Sequence, residues 1–205
     1  MRQLILFIFI SISTLANSQS KNEQVFLGSV VSDSLFERRN LSDEFKIENI
    51  FKSKNTIEIR LYSHLSESKT ECAILWYSDS FKSWKLTKYI YEKINSKLLM
   101  ELIEQKNSVL DASFNQLVSS NIFSLTNQNK INNTKYYINL DTKEISLLDV
   151  NLSDGVCYYV EFKILNDYRQ YNYCNPNIFL NTMPNTSEYS DFVRILKTFS
   201  ALTKK

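Results

Sequence analysis

Apolar and polar residues alternate strictly along residues 56–63, with Ile57, Ile59 and Leu61 on one side and Glu58, Arg60 and Tyr62 on the other. A period of two predicts a strand with one face in a core. Residues 71–77, with Cys72, Ala73, Ile74, Leu75 and Trp76 in succession, are apolar enough for an interior strand. Trp84, Leu86, Tyr89, Ile90 and Tyr91 mark a third. Short polar turns at residues 66–70 and 78–83 join the three, which predicts an antiparallel meander. Residues 97–105 fit a strand or a helix equally.

Helical spacing appears in three places. Ser42-Asp43-Glu44 offers a cap and first-turn acids, followed by Phe45, Ile47, Ile50 and Phe51 as an imperfect apolar face. Residues 108–120 place Val109, Leu110, Phe114, Leu117 and Val118 on one side, with Ser108 and Asp111 as a cap pair and Asn121 as a stop. Phe192, Ile195, Leu196, Phe199 and Leu202 recur at helical intervals near the C-terminus, with Thr186 or Ser187 as cap. Between them, an Asn-rich loop over residues 126–134 precedes two further strands at residues 136–140 and 144–150.

A Tyr-rich hairpin is expected over residues 156–174. Tyr158, Val160, Phe162 and Ile164 would face the core with Tyr171 and Tyr173, leaving Cys157, Tyr159, Glu161, Lys163, Gln170, Asn172 and Cys174 on the opposite face. Two registers compete. A two-residue turn at Asn166-Asp167 uses the better turn residues but leaves the cysteines diagonal, ~7–8 Å apart at Cα, too far for a relaxed disulfide. A four-residue turn over residues 164–167 sets Cys157 opposite Cys174 and permits the bond. Cys72 is then the remaining thiol, buried in its apolar strand. Together these elements predict an α+β fold: an antiparallel sheet, made of the meander and the C-terminal-half hairpin, with helices packed on one face.

Composition narrows the function. Lys plus Arg number 24 against 22 for Asp plus Glu, so no basic footprint for nucleic acid is present. The two glycines, Gly28 and Gly155, cannot form a phosphate-cradling loop. Met1-Arg2-Gln3, an apolar run from Leu4 to Leu15 and small residues at Ala16 and Ser18 read as a signal peptide over residues 1–18, cleaved before Gln19. The run is short and interrupted by Ser11, Ser13 and Thr14, so it is not read as a membrane span. The expected product is a single α+β domain over residues 19–205, periplasmic or secreted. Disulfides persist in that compartment. No lipid anchor is expected, because no cysteine follows the cleavage region.

Catalytic readings find little purchase. His64 is the one histidine, and with Cys72 or a nearby serine it could form a nucleophilic dyad only if a carboxylate oriented its ring. One His and three scattered Cys lack zinc-ligand spacing, and no cofactor or metal is expected. Glu58, Glu71, Glu161 and Asp154 read as solvated strand-face acids, although a dispersed pair of carboxylates would suit a hydrolase. The sharper candidate is an aromatic platform in which outward-facing Tyr159 lies beside Glu161 and Arg60. The expected function is a non-enzymatic binding protein, with an immunity-type protein as a variant and an extracytoplasmic hydrolase as the alternative. Its partner would be a cell-envelope macromolecule or protein.

One resemblance bears on this. The run Asp154-Gly155…Tyr158…Glu161…Tyr168-Arg169…Tyr171…Tyr173…Asn175-Pro176, followed by a terminal apolar helix, resembles small uncharacterised secreted proteins of Bacteroidota. Their leaders also often end just before a Gln. The resemblance implies secretion and carries over no site residue.

Overall fold

Strand and helix patterns of this kind resolve, in the computed structural model, into eight strands and four helices among the described residues 41–64, 68–150 and 155–204. The expected leader and Asp154 lie outside them. The strands are β1 (Ile57–His64), β2 (Lys69–Ser78), β3 (Ser83–Glu92), β4 (Lys97–Ile103), β5 (Thr134–Ile138), β6 (Ile145–Asp149), β7 (Cys157–Ile164) and β8 (Asp167–Cys174). The helices are α1 (Leu41–Glu44), α2 (Asn107–Ser119), α3 (Pro176–Thr182) and α4 (Ser187–Thr203). Six strands form one antiparallel sheet in the order β4-β3-β2-β1-β7-β8, and β5 pairs with β6 separately. The fold is α+β, as the periodicities predict.

The meander extends by one strand. Residues 97–103 pair along β3, with Tyr89 opposite Met100 and Glu92 opposite Lys97. The segment that fits helix and strand equally is therefore a strand, because a partner edge lies one short turn away. The hairpin closes the other side, with β7 pairing to β1 so that Arg60 lies opposite Glu161.

One face of the sheet carries the main core. Ile59, Leu61, Leu75, Leu86, Val160 and Phe162 meet Leu110, Phe114 and Leu117 of α2, Phe179 of α3, and Phe192, Ile195 and Phe199 of α4. Aromatic stacking fixes these layers: Trp84 on Phe114 at 4.2 Å between ring centroids, and Tyr173 on Phe192 at 4.1 Å. The tyrosines expected to face inward do so and anchor the chain that follows α2. Tyr171 donates to the Ile122 carbonyl at 2.8 Å and Tyr173 to the Thr126 carbonyl at 2.9 Å. Buried hydroxyls need such partners.

The hairpin adopts a register that sets Cys157 opposite Cys174 and Ile164 opposite Asp167. This is the register expected of a turn spanning Ile164 to Asp167: those two residues pair, Leu165-Asn166 make the reversal between them, and the Asn166-Asp167 turn does not form. Leu165 takes φ 53°, an unfavourable value for its side chain. The open end of the hairpin outweighs that cost. There the cysteine sulfurs sit at disulfide distance, the Asn175 amide donates to the Val156 carbonyl at 2.9 Å, and the Val156 amide donates to Asn175 Oδ1 at 3.1 Å. All three hold the same register.

Three other expectations shift. The helix expected from Ser42 to Phe51 is one turn, α1, followed by a 3-10 turn at Ile50–Lys52, with Lys46 at φ 55° breaking the run. Helix α3 went unread; Asn175 and Pro176 start it, with Pro at a position that needs no amide hydrogen. Neither α2 nor α4 uses a side-chain cap. Asn107 Oδ1 instead accepts from the Trp84 amide at 3.1 Å, tying α2 to β3.

Candidate outer-face cleft

Strand β1 is buried on both faces, not one. Residues 41–53 cross the sheet face opposite the helices as a strap, and Leu41 and Phe45 pack with Tyr62, Cys72 and Ile74 into a second, smaller core. The strap covers the side chains that alternation had turned toward solvent. Arg60 and Glu161 are each only 3 % exposed, and Glu58 also 3 %. The expected outward-facing platform is thus corrected: Tyr159 is half-buried, while Arg60 and Glu161 lie beneath the strap. Glu58 and Glu161 are not solvated acids either.

Burying three charges is costly unless each is paired and hydrogen-bonded. Here they are. Arg60 binds Glu58 Oε1 through Nε at 2.7 Å and through Nη2 at 2.6 Å. Its Nη1 donates to the Glu48 carbonyl at 2.8 Å, to Ser42 Oγ at 3.2 Å and to the Tyr62 hydroxyl at 3.3 Å. Glu161 accepts from Tyr62 at 2.6 Å and from Tyr168 at 2.8 Å. Glu58 Oε2 accepts from Asn55 Nδ2 at 2.7 Å and from the Ser53 hydroxyl. The strap therefore docks through polar bonds to Arg60 and Glu58 as well as through Leu41 and Phe45.

The electrostatics follow from that cage. Burial opposes the charge on Arg60, but Tyr62 and Glu58 outweigh it and raise its affinity for the proton. Burial pushes the Tyr62 hydroxyl well above its ordinary range, with Cys72 and Glu161 adding to the shift. It does the same to the Cys72 thiol, which stays protonated and unreactive. His64 ends β1 opposite Thr70, its ring 5.5 Å from Phe45 and 5.8 Å from Tyr159. It is an aromatic neighbour of the strap, and Cys72 lies opposite Tyr62 rather than beside it.

The strap packs over β1 and β2, and Ile47, Glu48 and Ser53 of the strap face Tyr89 of β3 and Met100 and Leu102 of β4 across an open gap. What remains is a cleft of about 350 Å³. Glu58, Arg60 and Asn55 form its polar end, while Ile74, Trp76, Tyr89, Met100 and Leu102 form its apolar side. Met100 is 68 % exposed and Leu102 57 %, so the cleft opens onto an uncovered apolar strip. Sequence reasoning found Arg60 but missed Trp76, Met100 and Leu102. Reading residues 97–103 as a strand would have shown Met100 and Leu102 sharing one face.

Two other surfaces differ from it. A groove of about 380 Å³ between α4 and the sheet, lined by Leu61, Ala73, Leu196 and Phe199, carries a Lys88–Glu71 ion pair at 3.0 Å. Its apolar lining is largely buried already, as expected of a packing crevice. The β5–β6 hairpin exposes Tyr136, Ile138, Ile145 and Leu147 on one face, without polar groups converging on them. The outer-face cleft combines exposed apolar walls with fixed polar groups, the usual make-up of a binding site.

Among the described residues, no group of His, Cys, Asp and Glu is placed to hold a metal ion, and no helix is long and apolar enough to cross a membrane. No protein-family model, curated protein or solved structure matches the chain.

Proposed function

We propose that this is a secreted or periplasmic, non-enzymatic binding protein that holds a cell-envelope macromolecule through the outer-face cleft. The observation that carries this reading is the exposed pair Met100 and Leu102 beside a polar floor whose charges are already neutralised. Such a site favours an apolar or aromatic anchor over an ionic ligand, because Arg60 has no unused charge to offer. The leader supports the compartment. A periplasmic toxin is one partner class that suits a nearly neutral protein of this size, and a toxin gene beside this one would strengthen the immunity variant.

The hydrolase alternative gains nothing from the cleft. Glu58 and Glu161 each accept at least two hydrogen bonds and contact Arg60, so neither is poised to activate a water. The test is recovery of partner from the protein's own envelope fraction, using the chain from Gln19 as bait. Trp76→Ala and Met100→Asp are expected to reduce recovery of one defined species at least about tenfold, since a buried aromatic anchor is worth ~2 kcal/mol or more. Equal recovery by the parent and both folded variants would dispose of the proposal.

A further inference from the structure

Polar side chains also converge at the β8 edge of the sheet, beside the disulfide. A cavity of about 310 Å³ lies there, lined by the carboxamides of Asn127, Gln128, Asn129, Asn133 and Asn172 and by Phe179. Asn127 is the anomaly among them. It is 1 % exposed, yet neither its Oδ1 nor its Nδ2 has a hydrogen-bond partner. Buried carboxamides almost always find one, because an unpaired polar atom loses its water with nothing in return.

Local structure does not account for the unpaired amide. Asn127 precedes the 3-10 turn Gln128–Lys130, where an Asn side chain ordinarily caps, but it makes no cap bond. Its neighbours are committed elsewhere. Gln128 holds the backbone of Cys174, its Nε2 donating to the carbonyl at 3.1 Å and its Oε1 accepting from the amide. Asn133 Oδ1 accepts from the Tyr189 hydroxyl at 2.6 Å. These bonds fix the walls, and the Asn127 amide is the group they leave unmatched.

We propose that this cavity binds one uncharged sugar residue, with the Asn127 carboxamide as the central contact. A carboxamide presents two donors and two acceptor lone pairs side by side. Adjacent hydroxyls on a pyranose ring match that set, since each both donates and accepts. The lining carries no charged side chain to neutralise a carboxylate, phosphate or ammonium. An extended peptide, the other neutral ligand rich in donors and acceptors, would pair along β8, where Gln128 already occupies both backbone groups of Cys174. Phe179, stacked on Tyr189 at 5.0 Å between ring centroids, supplies an apolar patch for ring C–H groups. The volume sits at the lower end of the ~300–1,000 Å³ usual for ligand pockets, which suits a single ring. The outer-face cleft spans β1 to β4, so this inference does not depend on it.

A ¹H–¹⁵N NMR titration of the chain from Gln19 with glucose, galactose, mannose and N-acetylglucosamine, each to about 50 mM, tests the site. At least one sugar is expected to shift the side-chain amide signals of Asn127, Asn129 and Asn172 along one saturable curve. Asn127→Leu, similar in shape but without the amide, is expected to weaken that sugar at least about tenfold. Asn129→Ala, at an exposed position, is expected to weaken it at least about threefold and keeps the test valid should Asn127→Leu misfold. Far-UV circular dichroism confirms folding of each variant. No saturable shift from any of the four sugars would overturn the proposal. So would binding indifferent to both substitutions, or larger saturable shifts from N-acetylglycinamide, a peptide mimic, than from every sugar.

Discussion

Arg60→Met tests the polar anchoring of the strap most severely. Methionine keeps most of the apolar stem but deletes the guanidinium and its bonds to Glu58, Tyr62, Ser42 and the Glu48 carbonyl. Glu58 and Glu161 are then left as buried carboxylates without a cation. Removing one member of a buried ion pair costs ~3–5 kcal/mol, a large share of a typical total of ~5–15 kcal/mol. A loss of ~4 kcal/mol at neutral pH is expected, read as a lowered urea midpoint by far-UV circular dichroism. Replacing all three charges, as Glu58→Gln, Arg60→Met and Glu161→Gln together, is expected to recover more than half of the loss. A deficit under ~1 kcal/mol, or a triple variant no more stable than Arg60→Met, would refute the argument.

Three further outcomes follow from the structure. Burial raises the proton affinities of Tyr62, Tyr171, Tyr173 and Cys72, so the folded state keeps protons that the unfolded chain releases in alkali. Stability should fall as pH climbs past about 8.5 for the thiol and about 10 for the phenols, by up to ~1.4 kcal/mol per pH unit per group; a flat profile of urea midpoints to about pH 11 would contradict it. Replacing Cys157 and Cys174 by alanine opens a cross-link between residues 17 apart and is expected to cost ~2–4 kcal/mol, with thermal melts of the parent unchanged by reductant as the contrary result. Gly155 sits at φ +144°, where an added Cβ would meet Asn175 Oδ1 at 1.8 Å. Gly155→Ala should cost ~1–3 kcal/mol in a denaturant titration, and an unchanged midpoint would show that the Asn175 clamp does not hold the hairpin mouth.

The sheet was legible because alternation is a local signal. Ile59 and Leu61 on β1, and Val160 and Phe162 on β7, announce the helix-facing core without tertiary information. Burial of the other face was not legible from β1 alone, since alternation says that two faces differ and not that a second layer covers the polar one. The clue lay in β2, where Cys72, Ile74 and Trp76 form a second apolar face that lies opposite Tyr62, Arg60 and Glu58. An interior strand apolar on both sides requires cover on both sides. The cover comes from Leu41, Phe45 and Ile50, whose irregular spacing resembles a poor helix because the strap makes one turn, breaks at Lys46 and resumes as a 3-10 turn. The cleft went unseen for the same reason: one of its walls is the strap itself, through Ile47, Glu48 and Ser53.

Site-specific photo-crosslinking in the envelope fraction shows whether a partner binds at this cleft. A benzophenone side chain replaces either Tyr89, in the cleft, or Phe81, exposed at the β2–β3 turn. A defined heterologous adduct is expected from position 89, lost with Trp76→Ala, and none from position 81. Adduct formation from position 81 alone, or from position 89 undiminished by Trp76→Ala, would contradict it.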